Sequence, residues 1–352
     1  MVEQTRSSAG LRWQSIAPIA VLIFLSPVLT ELLMGTVHLT NLWLLLPEMS
    51  VYGTAALLVR EVARRRRRGW GTLLLLGIAF SIAEECVILQ TSLTPQFFPP
   101  AFDANFGWAH GVQWIYLTAM LWYESVYAIV LPIYLTEMLF PAQRDEPWVS
   151  DNGLTVTAGI FVLASIGVWQ LWSRVGLQRY GPSTYQVPPL YIVAALAVIA
   201  LVIAGTLLIK PNAQATRKAN RRPLRPWLVW LMSFGFSLAW FFLIILAYLP
   251  ATSLNGLSPL IPIGAGMVWI GIGLLIVRRI SSAADWGDRQ RLALIFGASV
   301  ASMLGGTLVV LADAPIDILS KFVVDLIAIG LFSGFAARLR RRELPTETLP
   351  VD

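Results

Sequence analysis

The sequence contains ten apolar runs, each long enough to cross the hydrocarbon core of a lipid bilayer as a helix. One crossing needs about 20 consecutive apolar residues. A helix satisfies its own backbone hydrogen bonds, which lipid cannot do. We therefore predict an all-α fold, a polytopic integral membrane bundle of about ten transmembrane helices. The predicted spans cover residues 14–35, 42–61, 70–92, 112–140, 154–174, 188–209, 227–248, 257–277, 291–312 and 316–337.

The charge content agrees with a membrane protein. Only 13% of the 352 residues are charged and 57% are hydrophobic, whereas soluble domains carry roughly 25% charged residues. The basic residues form short clusters at the ends of apolar runs, and no base-stacking or groove-reading motif accompanies them. We therefore expect a multi-pass protein of the cell membrane, with the lipid bilayer as its partner and no binding of nucleic acid.

The distribution of Lys and Arg predicts the orientation of the spans, because cytoplasmic loops carry an excess of both. With the N-terminus in the cytoplasm, all but three of the 26 basic residues fall on the cytoplasmic side. Arg174 and Arg179 fall outside, and Lys321 lies within the last span. We therefore expect both termini to be cytoplasmic.

The longest polar stretch is KPNAQATRKANRRPLRP, residues 210–226. We interpret it as a basic cytoplasmic linker between a six-helix half at 1–209 and a four-helix half at 227–337, followed by a cytoplasmic tail at 338–352. A division after the fifth span would instead give two five-helix halves of opposite orientation, as in some transporters. No sequence similarity between such halves supports that alternative.

Two adjacent acids, Glu84 and Glu85, interrupt the apolar run at 70–93, which holds no other charge. One charge at the centre of a membrane helix costs about 2.5–3.5 kcal/mol on insertion scales. Two in a row need a protein-lined or watery environment, or a proton on at least one of them. The pair is therefore the first candidate for a functional site, and Gln90 is the nearest polar side chain that follows on the same helix.

Ionisable residues concentrate in the outer halves of the predicted spans. With a rise of about 1.5 Å per residue, Glu84 and Glu85 lie roughly 10–12 Å below the outer surface. The inner half holds almost none until the basic termini of the spans, apart from Glu137 near an inner end. This asymmetry predicts a polar cavity reachable from the extracytoplasmic side. The other ionisable residues on that side are Glu31, His38, Glu48, His110, Glu124, Lys321 and Asp325.

The last span carries Asp317, Lys321 and Asp325 at spacings of four residues. Residues four apart lie on one helix face, so one lysine can pair with both acids. Two interpretations remain open for Lys321 and Asp325. They belong either to a self-neutralising ladder that packs the last helix or to the polar site formed with Glu48 and Gln90.

Glu84-Glu85 is followed by Phe106-Gly-Trp-Ala-His110. This order resembles the CPBP family of intramembrane proteases (CAAX protease and bacteriocin-processing, or abortive-infection), whose hallmarks are EExxxR, FxxxH and a later histidine motif. The resemblance covers about residues 80–130. It implies that Glu84 or Glu85 activates a water molecule and that His110 helps to bind it, with Glu124 as an anionic partner. Leu89 stands where the motif has arginine, and no histidine follows His110.

Three functional classes remain open from the sequence. The first is an intramembrane hydrolase, a degenerate CPBP-like enzyme that uses Glu84, Glu85, His110 and Glu124. The second is a proton- or cation-coupled transporter, because embedded carboxylates carry protons and bind cations. The third is a non-catalytic subunit of a membrane complex. The sequence leaves open whether the partner is a small solute, an ion or a membrane peptide, and it specifies no metal or cofactor.

Overall fold

The computed structural model describes residues 8–95, 105–176, 185–208, 222–248, 258–311 and 314–342. Nine helices in these ranges are long and apolar enough to cross a membrane, and a shorter apolar helix, Ile16–Leu32, precedes them. Each predicted span corresponds to one of these helices, so the all-α membrane fold is confirmed.

The first helix, α1, spans Ser8–Pro27 and continues through a π-helical turn at Val28–Leu32. The remaining helices are α2 Leu39–Arg65, α3 Trp70–Ile88, α4 Trp114–Leu139, α5 Asp151–Arg174, α6 Pro189–Leu208, α7 Pro226–Tyr248, α8 Leu260–Ile280, α9 Asp288–Val310 and α10 Pro315–Arg342.

Residues at the helix starts account for several of these boundaries. Pro189, Pro226 and Pro315 are the first residues of α6, α7 and α10. Proline is favoured at this position because it lacks a backbone N–H, and the first N–H groups of a helix have no partner within the helix. Ser150 caps α5, since its hydroxyl accepts a 3.1 Å hydrogen bond from the backbone N–H of Gly153. The second helix extends beyond the predicted 42–61 to Leu39–Arg65, because its charged inner end stays helical.

A short β-hairpin lies between α3 and α4. Strand β1, Trp108–Ala109, pairs antiparallel with β2, Val112–Gln113. The two turn residues, His110 and Gly111, have φ of 50° and 73°. Tight two-residue hairpin turns favour such positive φ values.

Close helix contacts bring the first four helices together. A Cβ on Gly53 of α2 would lie 2.6 Å from the carbonyl oxygen of Ile23 in α1. A Cβ on Gly77 of α3 would lie 3.0 Å from Cα of Ser125 in α4. Small residues let membrane helices approach this closely. Gly53 and Gly77 lie within two turns of Glu48 and Glu84, so this packing positions the candidate site.

One hydrophobic core includes residues from both predicted halves of the chain. Leu29 and Tyr127 from the first half share it with Phe241, Ala298 and Phe332 from the second. Residues 210–221 of the predicted linker lie outside the described residues, so the division at 210–226 stays a prediction.

Several helices present apolar side chains on the outside of the bundle. Leu163 of α5, Leu190 of α6 and Leu275 of α8 are 72%, 75% and 65% exposed. In water such a surface would be a large exposed apolar patch. In a bilayer it is the face that contacts lipid, as expected for a multi-pass protein.

Candidate functional site

Three glutamates converge in the interior of the bundle. Glu84 and Glu85 come from α3, and Glu124 comes from α4. One carboxylate oxygen of each lies within 4.8 Å of one from each of the others. All three residues are buried, at 2%, 2% and 4% exposure. The structure therefore brings together three of the four residues predicted to act in catalysis.

Hydroxyl groups fix two of these carboxylates. The Tyr52 hydroxyl, from α2, donates a 2.8 Å hydrogen bond to Oε1 of Glu84. The Ser92 hydroxyl donates a 2.8 Å bond to Oε2 of Glu85, and the Thr91 hydroxyl donates to the same oxygen. These bonds orient the carboxylates from outside the cluster, in the way that supporting residues orient ligands in metal sites.

Gln90 contributes to the site through its backbone. Its φ is 59° and ψ is 22°, a left-handed conformation that ends α3. The chain then folds into a 3₁₀ turn, Thr91–Leu93, which places Thr91 and Ser92 against Glu85. The Gln90 side-chain amide donates 3.3 Å to the carbonyl of Val87. Gln90 is therefore a positioning residue for the turn.

Two oxygens of the cluster accept no hydrogen bond from a hydroxyl or N–H group of the described residues. They are Oε2 of Glu84 and Oε2 of Glu124, both fully buried, and the two carboxylates interact directly with each other. A buried charged oxygen without a partner costs several kcal/mol. The arrangement therefore requires a cation or a shared proton between the two carboxylates.

Two further glutamates extend the cluster. The Tyr52 phenol interacts electrostatically with Glu31 and Glu48 as well as with Glu84 and Glu124. Glu31 accepts a hydrogen bond from the Thr36 hydroxyl. Oε2 of Glu48 is buried without a partner. Both residues are only half-buried, so they lie between the buried triad and the end of the bundle assigned to the outside.

Each glutamate of the cluster lies at a π-helical turn. Glu31 is within Val28–Leu32, and Glu84 and Glu85 open the turn Glu84–Ile88. Glu48 and Glu124 directly precede the turns Met49–Gly53 and Ser125–Val130. Such turns are rare and occur frequently at functional sites. Four of the five π-helical turns in the described chain therefore lie at this cluster.

The cluster has no basic partner among the described residues. None of their ion pairs joins Glu31, Glu48, Glu84, Glu85 or Glu124 to a lysine, arginine or histidine. Five acids in one electrostatically connected group have a formal charge of −5 if all are ionised. Bound protons or metal cations must supply the compensating charge.

Lys321 and Asp325 pair with each other. Nζ of Lys321 is 2.6 Å from Oδ1 of Asp325 and contacts its second oxygen, and it also donates 3.1 Å to the carbonyl of Met303. Asp317 accepts a hydrogen bond from Thr40, so the predicted ladder is present only in its inner half. We interpret the pair as a local, self-neutral contact between α10 and α9.

The histidine predicted to act with the glutamates has a different environment. His110 is exposed at the tip of the β-hairpin. The group of potential ligands found among the described residues contains Glu84, Glu85 and Glu124 without it. Leu89, in the place of the motif arginine, packs against the apolar core.

A second buried polar cluster lies at the inner end of the bundle. Arg60 and Glu61 of α2 have fully buried side chains, and Nη1 of Arg60 is 2.7 Å from Oε1 of Glu61. Nε of Arg60 lies 3.3 Å from Oε1 of Glu137. Arg64 binds the same carboxylate, with Nε 2.6 Å from Oε1 and Nη2 2.7 Å from Oε2. These arginines lie at the basic inner end of α2, where the sequence predicts positive charge, and the structure adds that they pair with Glu61 and Glu137 inside the bundle.

Further contacts tie this inner cluster to the loop after α4. The Arg60 guanidinium lies 3.5 Å from the centre of the Trp148 ring, and it donates to the carbonyls of Gln143 and Arg144 at 3.2 and 3.0 Å. The backbone N–H of Trp148 donates 2.9 Å to Glu61. Glu61 was not predicted as part of a buried cluster, because charged residues are common at helix ends. The one sequence feature that distinguishes it is that it is an acid within an otherwise basic run.

Comparison with known proteins agrees with the membrane fold. No curated protein and no solved structure matches the chain at a significant level. One family model matches residues 20–340, which include all of the elements that form the glutamate cluster and the inner ion pairs. The chain belongs to this family, an uncharacterized membrane protein family.

Proposed function

We propose that Glu84, Glu85 and Glu124 form an exchangeable cation site and that the protein is a cation- or proton-coupled membrane transporter. The observation that carries this proposal is the pair of buried oxygens on Glu84 and Glu124 that accept no hydrogen bond from a hydroxyl or N–H group, in a cluster that forms no ion pair within the described part of the chain. A bound cation or proton would supply the positive charge that these carboxylates need.

The donor set favours hard cations. Carboxylate oxygens are the ligands that Ca²⁺, Mg²⁺ and Mn²⁺ prefer. Three ionised carboxylates would leave one negative charge beside a divalent ion, so a proton retained on one of them would balance the site. Binding a metal ion would therefore release protons, which provides a direct chemical route to coupling.

The surroundings of the site favour access from one side. Glu31 and Glu48 lead from the triad towards the predicted outer end. In the other direction, the buried apolar residues Ala56, Ile129 and Ile133 separate it from the inner ion pairs. Tyr52 and Arg60 on α2 are eight residues apart, about 12 Å along the helix. A buried site with half-buried glutamates on one side and apolar residues on the other would suit alternating access.

The same geometry gives less support to the other two functional classes, the hydrolase and the non-catalytic subunit. A CPBP-like hydrolase needs histidine near the glutamates, and His110 lies exposed on the hairpin. A purely structural subunit has no need for unpartnered carboxylate oxygens in its interior. The transporter proposal uses both the convergence of the acids and their missing counter-charge.

Cation binding to the purified protein tests the proposal. The protein in lipid nanodiscs would be titrated with Mn²⁺, followed by electron paramagnetic resonance, and with Ca²⁺, followed by calorimetry. We expect Glu84→Gln and Glu124→Gln to weaken binding more than about tenfold, since even residues that only support a metal ligand are worth that much. Glu146→Gln, at an exposed loop position, is the control and should bind like wild type.

Proteoliposomes test the transport step. A pH-sensitive dye inside vesicles should report proton movement when a cation gradient is imposed, and Glu84→Gln should abolish it. If wild type neither binds a divalent cation nor moves protons in response to a sodium, potassium or divalent gradient, the proposal is wrong. Peptide cleavage that requires Glu84 and His110 would favour the hydrolase instead.

A further inference from the structure

The inner loop, residues 140–150 between α4 and α5, lies against the predicted inner end of α2. Arg60 of α2 donates hydrogen bonds to the carbonyls of two of its residues, Gln143 and Arg144. Arg65, more than one turn further along α2, donates to the carbonyl of Val149. Side chains of α2 therefore hold the inner loop at both of its ends.

Trp148 joins the inner loop to the buried ion pairs. Its ring lies 3.5 Å from the Arg60 guanidinium, and its backbone N–H donates a 2.9 Å hydrogen bond to Oε1 of Glu61. Its indole N–H donates 2.9 Å to the carbonyl of Gln143, which closes the loop on itself. The side chains of Arg60 and Glu61 have no exposed surface. Trp148 is therefore part of the cover that keeps water from these two charges.

The covered ion pairs lie next to the apolar residues that seal the glutamate site. Arg60 is four residues after Ala56 on α2, and Glu137 is four residues after Ile133 on α4, so each charge shares a helix face with one of these residues. Ala56 and Ile133 are fully buried in the apolar core. A cation that left the triad inwards would meet the apolar residues, then the ion pairs and then the inner loop.

The inner loop is also bound to α9, by a contact that is easier to break. Nη2 of Arg144 lies 2.6 Å from Oδ2 of Asp288, and the two side chains are 24% and 27% exposed. Arg64 and Glu137, by contrast, form two hydrogen bonds with the carboxylate almost completely buried. Partly exposed ion pairs contribute little to stability, whereas breaking a buried pair is costly. The link to α9 should therefore open more readily than the buried set.

We propose that the inner loop is the inner gate of the transport path, with the Trp148 ring as its plug. This inference rests on the proposed function, because a gate is needed only if the glutamate site exchanges its cation with the inner face. When Arg144 releases Asp288, the loop moves away and Trp148 leaves Arg60 and Glu61. Water then reaches these two charges, and their hydration offsets part of the contacts that are lost.

Thiol labelling tests the gate without requiring transport. Cys86 is the one cysteine of the chain, so Cys86→Ser/Ile133→Cys is a parent with a single thiol in the buried apolar layer. A membrane-impermeant methanethiosulfonate is added to the predicted inner side of proteoliposomes. Trp148→Ala should speed labelling about tenfold or more, and Trp148→Phe, which keeps an aromatic ring for Arg60, should stay within about threefold of the parent. Trp227→Ala, which removes an exposed tryptophan at the start of α7, is the control and should label like the parent.

A second variant loosens the gate and leaves the plug intact. Arg144→Gln removes the link to Asp288 at a partly exposed position, so it should fold normally and speed labelling about threefold. Labelling from the outer side and the affinity for Mn²⁺ should match the parent in both Trp148→Ala and Arg144→Gln. A rise on both sides, or weaker Mn²⁺ binding, would show a general loosening and overturn the gate.

The same measurements separate the gate from the transporter function. Labelling of Trp148→Ala and Arg144→Gln at the parent's rate would overturn the gate, even if wild type moves cations or protons. If Trp148→Ala does not fold, Arg144→Gln alone decides. Faster labelling from the inner side in a protein that moves neither cations nor protons would support the opening of the loop and overturn the transporter function instead.

Discussion

The hydroxyl of Tyr52 donates a 2.8 Å hydrogen bond to Oε1 of Glu84, so a residue of α2 fixes a carboxylate of α3 inside the bundle. Tyr52 also interacts with Glu31, Glu48 and Glu124. It is a residue without a carboxylate whose electrostatic partners include four of the five glutamates. Its phenol is therefore the natural place to disturb the cluster without removing a charge.

Tyr52→Phe should weaken cation binding about 10- to 100-fold, the usual cost of removing a residue that orients a metal ligand. Tyr127→Phe is the matched control. It also removes a buried phenol hydrogen bond, 2.9 Å to the carbonyl of Ala298, but it does not touch a carboxylate. Calorimetry on both variants would refute this role of Tyr52 if they bound the cation equally well.

Cation binding should weaken as the pH falls, because protons and metal ions compete for the same carboxylates. Wild type should release protons when Mn²⁺ or Ca²⁺ is added in weak buffer, and Glu124→Gln should release fewer. A pH-indicator dye measures the release. An affinity independent of pH between about pH 5 and 8, with no proton released, would contradict the competition.

Glu137→Gln should destabilise the fold and leave the affinity for cations unchanged. It removes one charge from a buried set in which Arg60 and Arg64 both depend on it, and breaking such a pair costs about 3–5 kcal/mol. Asp151→Asn breaks the ion pair with Arg65, in which the aspartate side chain is 91% exposed, and should cost at most about 1 kcal/mol. Thermal unfolding in detergent would compare the two.

Lys321→Met alone should destabilise the protein, because it leaves Asp325 buried without its ion-pair partner. The double change Lys321→Met/Asp325→Leu should recover most of the stability, since no unpaired charge remains. We expect cation binding by the double variant to equal that of wild type. A well-folded double variant that had lost binding would instead place this pair within the functional site.

His110→Asn should have no effect on cation binding. Asparagine tolerates the positive φ of 50° at this position, so the hairpin should be kept. The exposed side chain lies outside the group of three glutamates. Loss of binding in this variant, measured with Mn²⁺, would show that the hairpin closes over the site.

The sequence predicted the helices well because each apolar run is bounded by charge or proline. The hydrolase hypothesis predicted that Glu84, Glu85, His110 and Glu124 converge, and the structure brings the three glutamates together. Tyr52 could not be found in the same way. Tyrosine is common in apolar helices. The π-helical turn at Met49–Gly53 also places Tyr52 on a different helix face from the one that regular α-helical spacing predicts.

Two other features depend on tertiary contacts. The burial of Arg60 and Glu61 is produced by Trp148 and the loop after α4, which lie more than 80 residues away in sequence. The separation of His110 from the glutamates in sequence does not predict their separation in space, because the β-hairpin places His110 at an exposed tip.

The π-helical turns at the cluster have a consequence for the phase of the helices. Each widened turn holds one residue more than an α-helical turn would need. Deleting that residue would rotate everything beyond it by about 100° around the helix axis. A one-residue deletion after Glu124 would thus turn the inner part of α4, including Glu137, away from Arg60 and Arg64. The number of residues between the two ends of each helix therefore fixes how its outer carboxylates and its inner ion pairs are oriented relative to each other.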